Sequence, residues 1–124
     1  MTILDWKAIK MTQTPIWTDV GHIDDVPRQG SRVVKSGKGD VAVFRTQDDE
    51  VFALIDRCPH KHGPLSQGIV HGRRVTCPLH NWVIDLNTGE ALAPDQGCAG
   101  AIPCRTANGR IELALTYVRE CEHA

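Results

Sequence analysis

Hydrophobic residues along this chain fall into short runs rather than helical stripes. Runs rich in Val, Ile, Leu, Phe and Thr are broken by Gly, Asn, Asp and Pro roughly every eight to twelve residues, the punctuation of an all-β domain. The pattern predicts strands over Ile16–Gly21, Arg32–Lys35, Val41–Thr46, Val51–Ile55, Arg74–Cys77, Val83–Asp85, Ala101–Thr106 and Arg110–Leu115. In Ile111-Glu112-Leu113-Ala114-Leu115 the large apolar groups alternate, so one face looks inward. Val41–Phe44 and Val51–Ile55 are apolar on both faces, which fits central strands of a sandwich or closed barrel. Hairpin joints are expected at Gly37-Lys38-Gly39-Asp40, at Gln47-Asp48-Asp49-Glu50 and, most clearly, at Asn108-Gly109, where Asn-Gly accepts the positive φ of a type I′ turn. A single helical turn is expected within Asp24–Gln29.

The chain of 124 residues reads as one domain over residues 15–118. Residues 1–14 form an extension, either an edge strand through Trp6–Ile9 or a partly disordered segment, and 119–124 form a tail. The formal charge is −1, so no basic field points to nucleic acid. The opening MTILDWKAIKMTQTP lacks a signal-peptide apolar core, and no stretch reaches the ~20 apolar residues of a membrane span. A soluble cytoplasmic protein is expected. Five cysteines without an export signal argue against a disulfide framework and for metal ligation by some of them. Cys98, Cys104 and Cys121 have no His or Cys partner at ligand spacing and read as small hydrophobes.

Chemistry concentrates in two runs, Cys58-Pro59-His60 and Cys77-Pro78-Leu79-His80, separated by 16 residues. Each offers one thiolate and one imidazole at the start of a Gly- and Pro-containing loop. Two Cys and two His in this order suit a 2Fe–2S cluster with thiolates on one iron and imidazoles on the other. A structural zinc site, a Cys–His nucleophilic pair and four unligated core residues are the alternatives. Zinc fingers use Cys-x₂₋₄-Cys followed by His-x₃₋₅-His, which interleaved Cys/His pairs do not match. The Pro after each Cys stiffens its loop. Gly63, Gly68 and Gly72 are expected to let the backbone turn tightly around a bulky inorganic group. A hairpin through Gly68–Val70 and Arg74–Thr76 would present both loops side by side at one tip. His62 reads as an exposed loop residue, His71 as a turn residue and Trp82 as an aromatic packed under the second loop.

The segment CPHKHGPLSQGIVHGRRVTCPLHNW resembles a Rieske iron–sulfur domain of the soluble ferredoxin kind. That resemblance implies a Rieske-type 2Fe–2S cluster with Cys58 and Cys77 on one iron and His60 and His80 on the other. It also implies small antiparallel sheets in a sandwich, with a two-loop cluster-binding subdomain of about residues 57–98 at one tip. Pro94-Asp95-Gln96-Gly97 resembles the third loop that shields the cluster in this family, with Cys98 the nearest additional thiol. Rieske proteins of cytochrome bc complexes carry a disulfide across the cluster, but Gly63 and Leu79 stand at the corresponding positions here.

Over residues 15–116 the chain is also similar to the small-subunit family of bacterial assimilatory NAD(P)H-dependent nitrite reductases, on CPLHNW and LNTGEALAPDQGC. The implied partner is a large flavin- and siroheme-bearing subunit that reduces nitrite to ammonium. A stand-alone ferredoxin serving a ring-hydroxylating or related dioxygenase is the alternative, and a cluster-bearing interaction or regulatory module a third. The chain has no facial His/carboxylate set, dinucleotide fingerprint or flavin motif, so no catalytic residue is expected. It would serve as the redox subunit of an oxidoreductase whose chemistry occurs on the partner.

Trp82 and Ile84 stand where bc-type members place Ser and Tyr hydroxyls. With fewer hydrogen bonds to the cluster sulfurs, the midpoint potential should lie nearer the ~−150 mV end of the Rieske range than the ~+300 mV end. Protein-film voltammetry giving a midpoint above roughly +100 mV would contradict this reading.

Overall fold

The computed structural model describes residues 16–37, 39–59, 63–78, 81–93, 95 and 97–115. The extension 1–14, the tail 119–124, His60, His62, Leu79, His80, Pro94, Gln96 and Cys121 lie outside the described residues.

Ten strands follow in chain order: β1 (Thr18–His22), β2 (Gly30–Val34), β3 (Val41–Arg45), β4 (Val51–Ile55), β5 (Ile69–His71), β6 (Arg74–Thr76), β7 (Val83–Asp85), β8 (Ala101–Ile102), β9 (Cys104–Ala107) and β10 (Arg110–Leu113). They build three antiparallel sheets in the orders β1-β10-β9, β2-β3-β4-β8 and β5-β6-β7. The all-β class and its small antiparallel sheets agree with the periodicity of the chain.

β3 is buried along its whole length, as its two apolar faces require. Ala42 and Phe44, with Leu54 of β4, face one hydrophobic cluster that continues into Val70, Val75, Ile84 and Leu86. Val41, Val43 and Ala53 face a second cluster with Val26, Ile102, Ile111 and Leu113. One central sheet therefore joins the β1-β10-β9 sheet on one side to the β5-β6-β7 subdomain on the other. Full burial of a side chain such as Phe44 or Leu54 contributes about 1.5–3 kcal/mol.

Turn chemistry at Asn108-Gly109 is as expected, with φ of 53° and 80° between β9 and β10. The expected strand Ala101–Thr106 is divided. Ala101–Ile102 pairs with β4, whereas Cys104–Ala107 pairs with β10 in a different sheet. Pro103 lies at the break: it has no N–H for a ladder, and its carbonyl accepts from the Ala114 N–H at 3.0 Å. The helical turn falls at Ile23–Asp25, earlier than Asp24–Gln29, because His22 and Asp25 form a reciprocal cap there. A second 3-10 turn, Leu65–Gln67, has no counterpart in the sequence expectation.

A buried cation fastens the first of these turns to β3. The Arg45 guanidinium donates to the carbonyls of Ile23 (3.1 Å) and Val26 (3.0 Å) and to Asp49 Oδ1 (3.0 Å). Asp49 also accepts twice from Arg28, at 2.9 and 3.2 Å. Arg73 spans from the β5–β6 turn to Glu50 with Nε–Oε1 at 2.8 Å, and its guanidinium lies 6.0 Å from the Phe52 ring centroid. That contact ties the subdomain to the β3–β4 hairpin at one of its ends.

Hydrogen bonds from Arg28 and then Arg45 pull the Asp49 carboxyl down to about 2. An unfolded Asp49 binds its proton at higher pH than the folded one, so its contribution is complete above the ordinary carboxylate range. It is lost as pH falls toward about 2. Thermal unfolding followed by circular dichroism should show a flat melting temperature above pH 5 and a decline below pH 4. Asp49→Asn should lower the plateau and flatten the acid limb; an unchanged acid limb would refute the assignment.

Candidate metal centre

Cys58 and Cys77 each retain only 1 % exposure and belong to the same hydrophobic cluster, and neither is in a disulfide. They arrive from different directions. Cys58 follows β4, which ends at Ile55, while Cys77 follows β6 directly. The two local loops then close in the same way. The Cys58 N–H donates to the Gly63 carbonyl at 2.7 Å, and the Cys77 N–H donates to the Trp82 carbonyl at 2.7 Å. Both bonds span five residues. Each Cys is thus the first residue of a small closed loop, with Pro next in line. In the second loop Asn81 adopts φ 60° and donates its N–H to the Cys77 carbonyl at 3.1 Å. Asn tolerates this left-handed conformation better than most side chains.

The hairpin connecting the two loops is present as expected, with Ile69 opposite Thr76 and His71 opposite Arg74. His71 sits at the turn and its Nε2 lies 2.7 Å from Thr76 Oγ1. Gly68 and Gly72 serve this hairpin rather than the wall of a cofactor site. A Cβ on Gly68 would collide with the Thr76 carbonyl, and Gly72 takes φ 57° between β5 and β6. Gly63 is buried and supplies the carbonyl that closes the first loop.

A third loop does pack against the other two. The Ala91 N–H donates to the Gly97 carbonyl at 2.9 Å, and Leu92 N–H reaches the Val83 carbonyl at 2.9 Å. Gly97, at φ 149°, is wedged against Pro59 of the first loop and Trp82 of the second. A Cβ there would lie 2.9 Å from Pro59 Cβ and 3.5 Å from Trp82 Cζ3. Trp82 is half-buried against the cluster that holds both thiols, as its place after the second loop suggested.

The remaining cysteines divide. Cys104 is the small, partly buried hydrophobe expected, and burial pushes its thiol up to about 12. Cys98 departs from expectation: it is disulfide-bonded, and its partner is not among the described cysteines. The odd cysteine count carried no information about that bridge. Cys104 also borders a groove of about 260 Å³ with Trp17, Phe52, Leu86, Asn87 and Pro103, whose lining includes none of the described ligand-loop residues.

Two desolvated thiols at the mouths of paired loops, sealed by a third loop, suit an inorganic cluster held by thiolate and define a small iron–sulfur protein. A thiolate in so apolar a setting needs a cation to take its charge. The chain belongs to the Rieske [2Fe-2S] domain family, whose model matches residues 16–106. Its cofactor is a Rieske-type 2Fe–2S cluster, and its role is electron transfer within oxidoreductase systems. The chain is similar to the anthranilate 1,2-dioxygenase ferredoxin subunit of Burkholderia cepacia, with 37% identity over 78% of this chain and 90% of that one. It is likewise 31% identical to a ferredoxin component of naphthalene 1,2-dioxygenase/salicylate 5-hydroxylase systems from Ralstonia sp., over 85% of this chain and 99% of that one. Among solved structures, a chain provisionally described as the NADH-dependent nitrite reductase small subunit of Mycobacterium tuberculosis shares the fold. Its TM-score is 0.74 at 24% identity, covering 89% of this chain and 100% of that one.

Gly97→Ala should force the third loop off Pro59 and Trp82 and adds a positive-φ cost of roughly 1–3 kcal/mol. Reconstituted Gly97→Ala should keep its β-sheet circular dichroism but retain less iron per chain than the wild type. Full iron content and an unshifted visible spectrum would contradict the wedge role.

Proposed function

We propose that the chain is a carrier ferredoxin that passes single electrons from a reductase to the oxygenase component of a dioxygenase system. The observation carrying this reading is the identity of 37% with a dioxygenase ferredoxin subunit over 78% of this chain and 90% of that one. The bound cluster supplies reversible one-electron transfer. Cys58 and Cys77 would hold one iron, and His60 and His80 the other. The protein's own contribution is to desolvate the two thiolates, close each loop through its Cys N–H, and seal the site with Gly97.

A second reading, the small subunit of an assimilatory NAD(P)H-dependent nitrite reductase, is favoured by CPLHNW, by LNTGEALAPDQGC and by a near-neutral net charge of −1. The fold shared with the mycobacterial chain is compatible with both readings. Purification of a tagged chain from its own cell separates them. A carrier elutes alone and, once reduced, is reoxidised by an oxygenase component. A stable complex with a siroheme flavoprotein, together with nitrite-dependent NAD(P)H oxidation, would overturn the carrier reading.

His60→Ala and His80→Ala should each abolish the electron paramagnetic resonance signal of the reduced protein, whereas His62→Ala should leave it intact. Loss of the signal in His62→Ala would overturn the ligand assignment.

A further inference from the structure

Outside the Cys N–H bond that closes each loop alike, the two ligand loops are joined to the fold at their bases by different means. Thr76 and Val83 pair across β6 and β7, so the second loop is the tip of a hydrogen-bonded ladder. The first loop has no such support. It leaves β4, which pairs with β3 and β8, and re-enters the subdomain through the Leu65–Gln67 turn. These two ends share no strand pairing among the described residues.

Side chains close that base instead. Asp56 Oδ1 accepts from the Ser66 N–H at 2.7 Å, and Asp56 Oδ2 accepts from the Ser66 hydroxyl at 2.7 Å. The Ser66 carbonyl in turn accepts from the Ser31 hydroxyl of β2 at 2.7 Å. The Asp56 N–H donates to the Asp40 carbonyl at 2.9 Å, fixing the carboxylate's own backbone to the β2–β3 connection. All three side-chain bonds are part-buried, where a hydrogen bond to a charged group is worth more than at the surface. Asp56 lies two residues before Cys58, and Ser66 lies beside the fully buried Leu65. The carboxylate therefore grips both the backbone and the side chain of the residue that ends the loop.

We propose that Asp56 and Ser66 are positioning residues for the cluster: their clasp, anchored through Ser31 to β2, holds the first ligand loop in register with the second. It does for Cys58 what the β6–β7 ladder does for Cys77. The inference rests on the ligand assignment above, but not on which partner takes the electron. Outer contacts of this kind typically change metal affinity ten- to a hundredfold when removed.

The test uses reconstituted holoprotein and the rate at which an iron chelator bleaches the cluster. Ser66→Ala and Asp56→Ala should bleach about tenfold faster than wild type or more. Asp56→Asn, which can still accept from the Ser66 N–H and donate to the Ser66 hydroxyl, should return most of that loss. Arg73→Ala breaks an ion pair of the subdomain away from the first loop and serves as the control for general loosening. The reduced Ser66→Ala protein should also show a broadened resonance spectrum, a change that mere loss of fold stability does not produce.

An acceleration in Ser66→Ala more than about threefold beyond Arg73→Ala supports the clasp, and anything at or below that overturns it. Equal bleaching of Asp56→Asn and Asp56→Ala would also overturn it. Should Asp56→Ala fail to fold, Ser66→Ala and Asp56→Asn still decide. Failure of the ligand assignment has a different signature, because His60→Ala would then keep its cluster.

Discussion

A thiolate in an apolar core is unfavourable unless a cation neutralises it, and this fold buries two cysteine side chains in the same cluster. That constraint organises the molecule. Cys58 and Cys77 share their surroundings with Phe44, Leu54, Ile84 and Leu86, so the packing that joins the central sheet to the subdomain also shields both thiols. The subdomain cannot separate from the central sheet without exposing both thiols. Stability and cofactor retention are therefore coupled through one set of apolar contacts.

The loops around those thiols use backbone hydrogen bonds where a disulfide staple serves other members of the family. Each Cys N–H is committed to a carbonyl five residues on, which fixes the local curve of its loop. Gly97 then fills the space between Pro59 and Trp82, where only a residue without a Cβ fits. Arg73 at the β5–β6 turn restrains the subdomain through Glu50 and Phe52. Such an arrangement restrains the loops by contacts from separate segments. A relay needs no more, since electron transfer asks for small reorganisation and access to a partner.

Much of this was legible in the chain. Strand positions followed from residue types that favour a pleated, half-buried surface, and Asn108-Gly109 marked its turn because positive φ is a local property. Both-face apolarity over Val41–Phe44 marked β3 as central, because a strand buried on two sides admits a polar group only where, as at Arg45, partners surround it. The spacing of Cys58, His60, Cys77 and His80 pointed to the cofactor through the chemistry of the donors. What stayed hidden was non-local. Pro103 divides a continuous apolar run between two sheets, and nothing within residues 101–106 says which partners each half will find. Gly68 looked like part of a cofactor wall, yet the Thr76 backbone that requires it is brought there only by strand pairing.

By itself, then, the sequence determined the all-β class and pointed to the cofactor, because these depend on residue type and short spacing. The tertiary structure alone decided that Cys98 is bridged, that Gly97 is the wedge, and that Asp56 and Ser66 close the first loop. Each of these is a meeting of side chains or backbone from separate segments. Such meetings are set by how three small sheets pack, and no periodicity or local propensity encodes them.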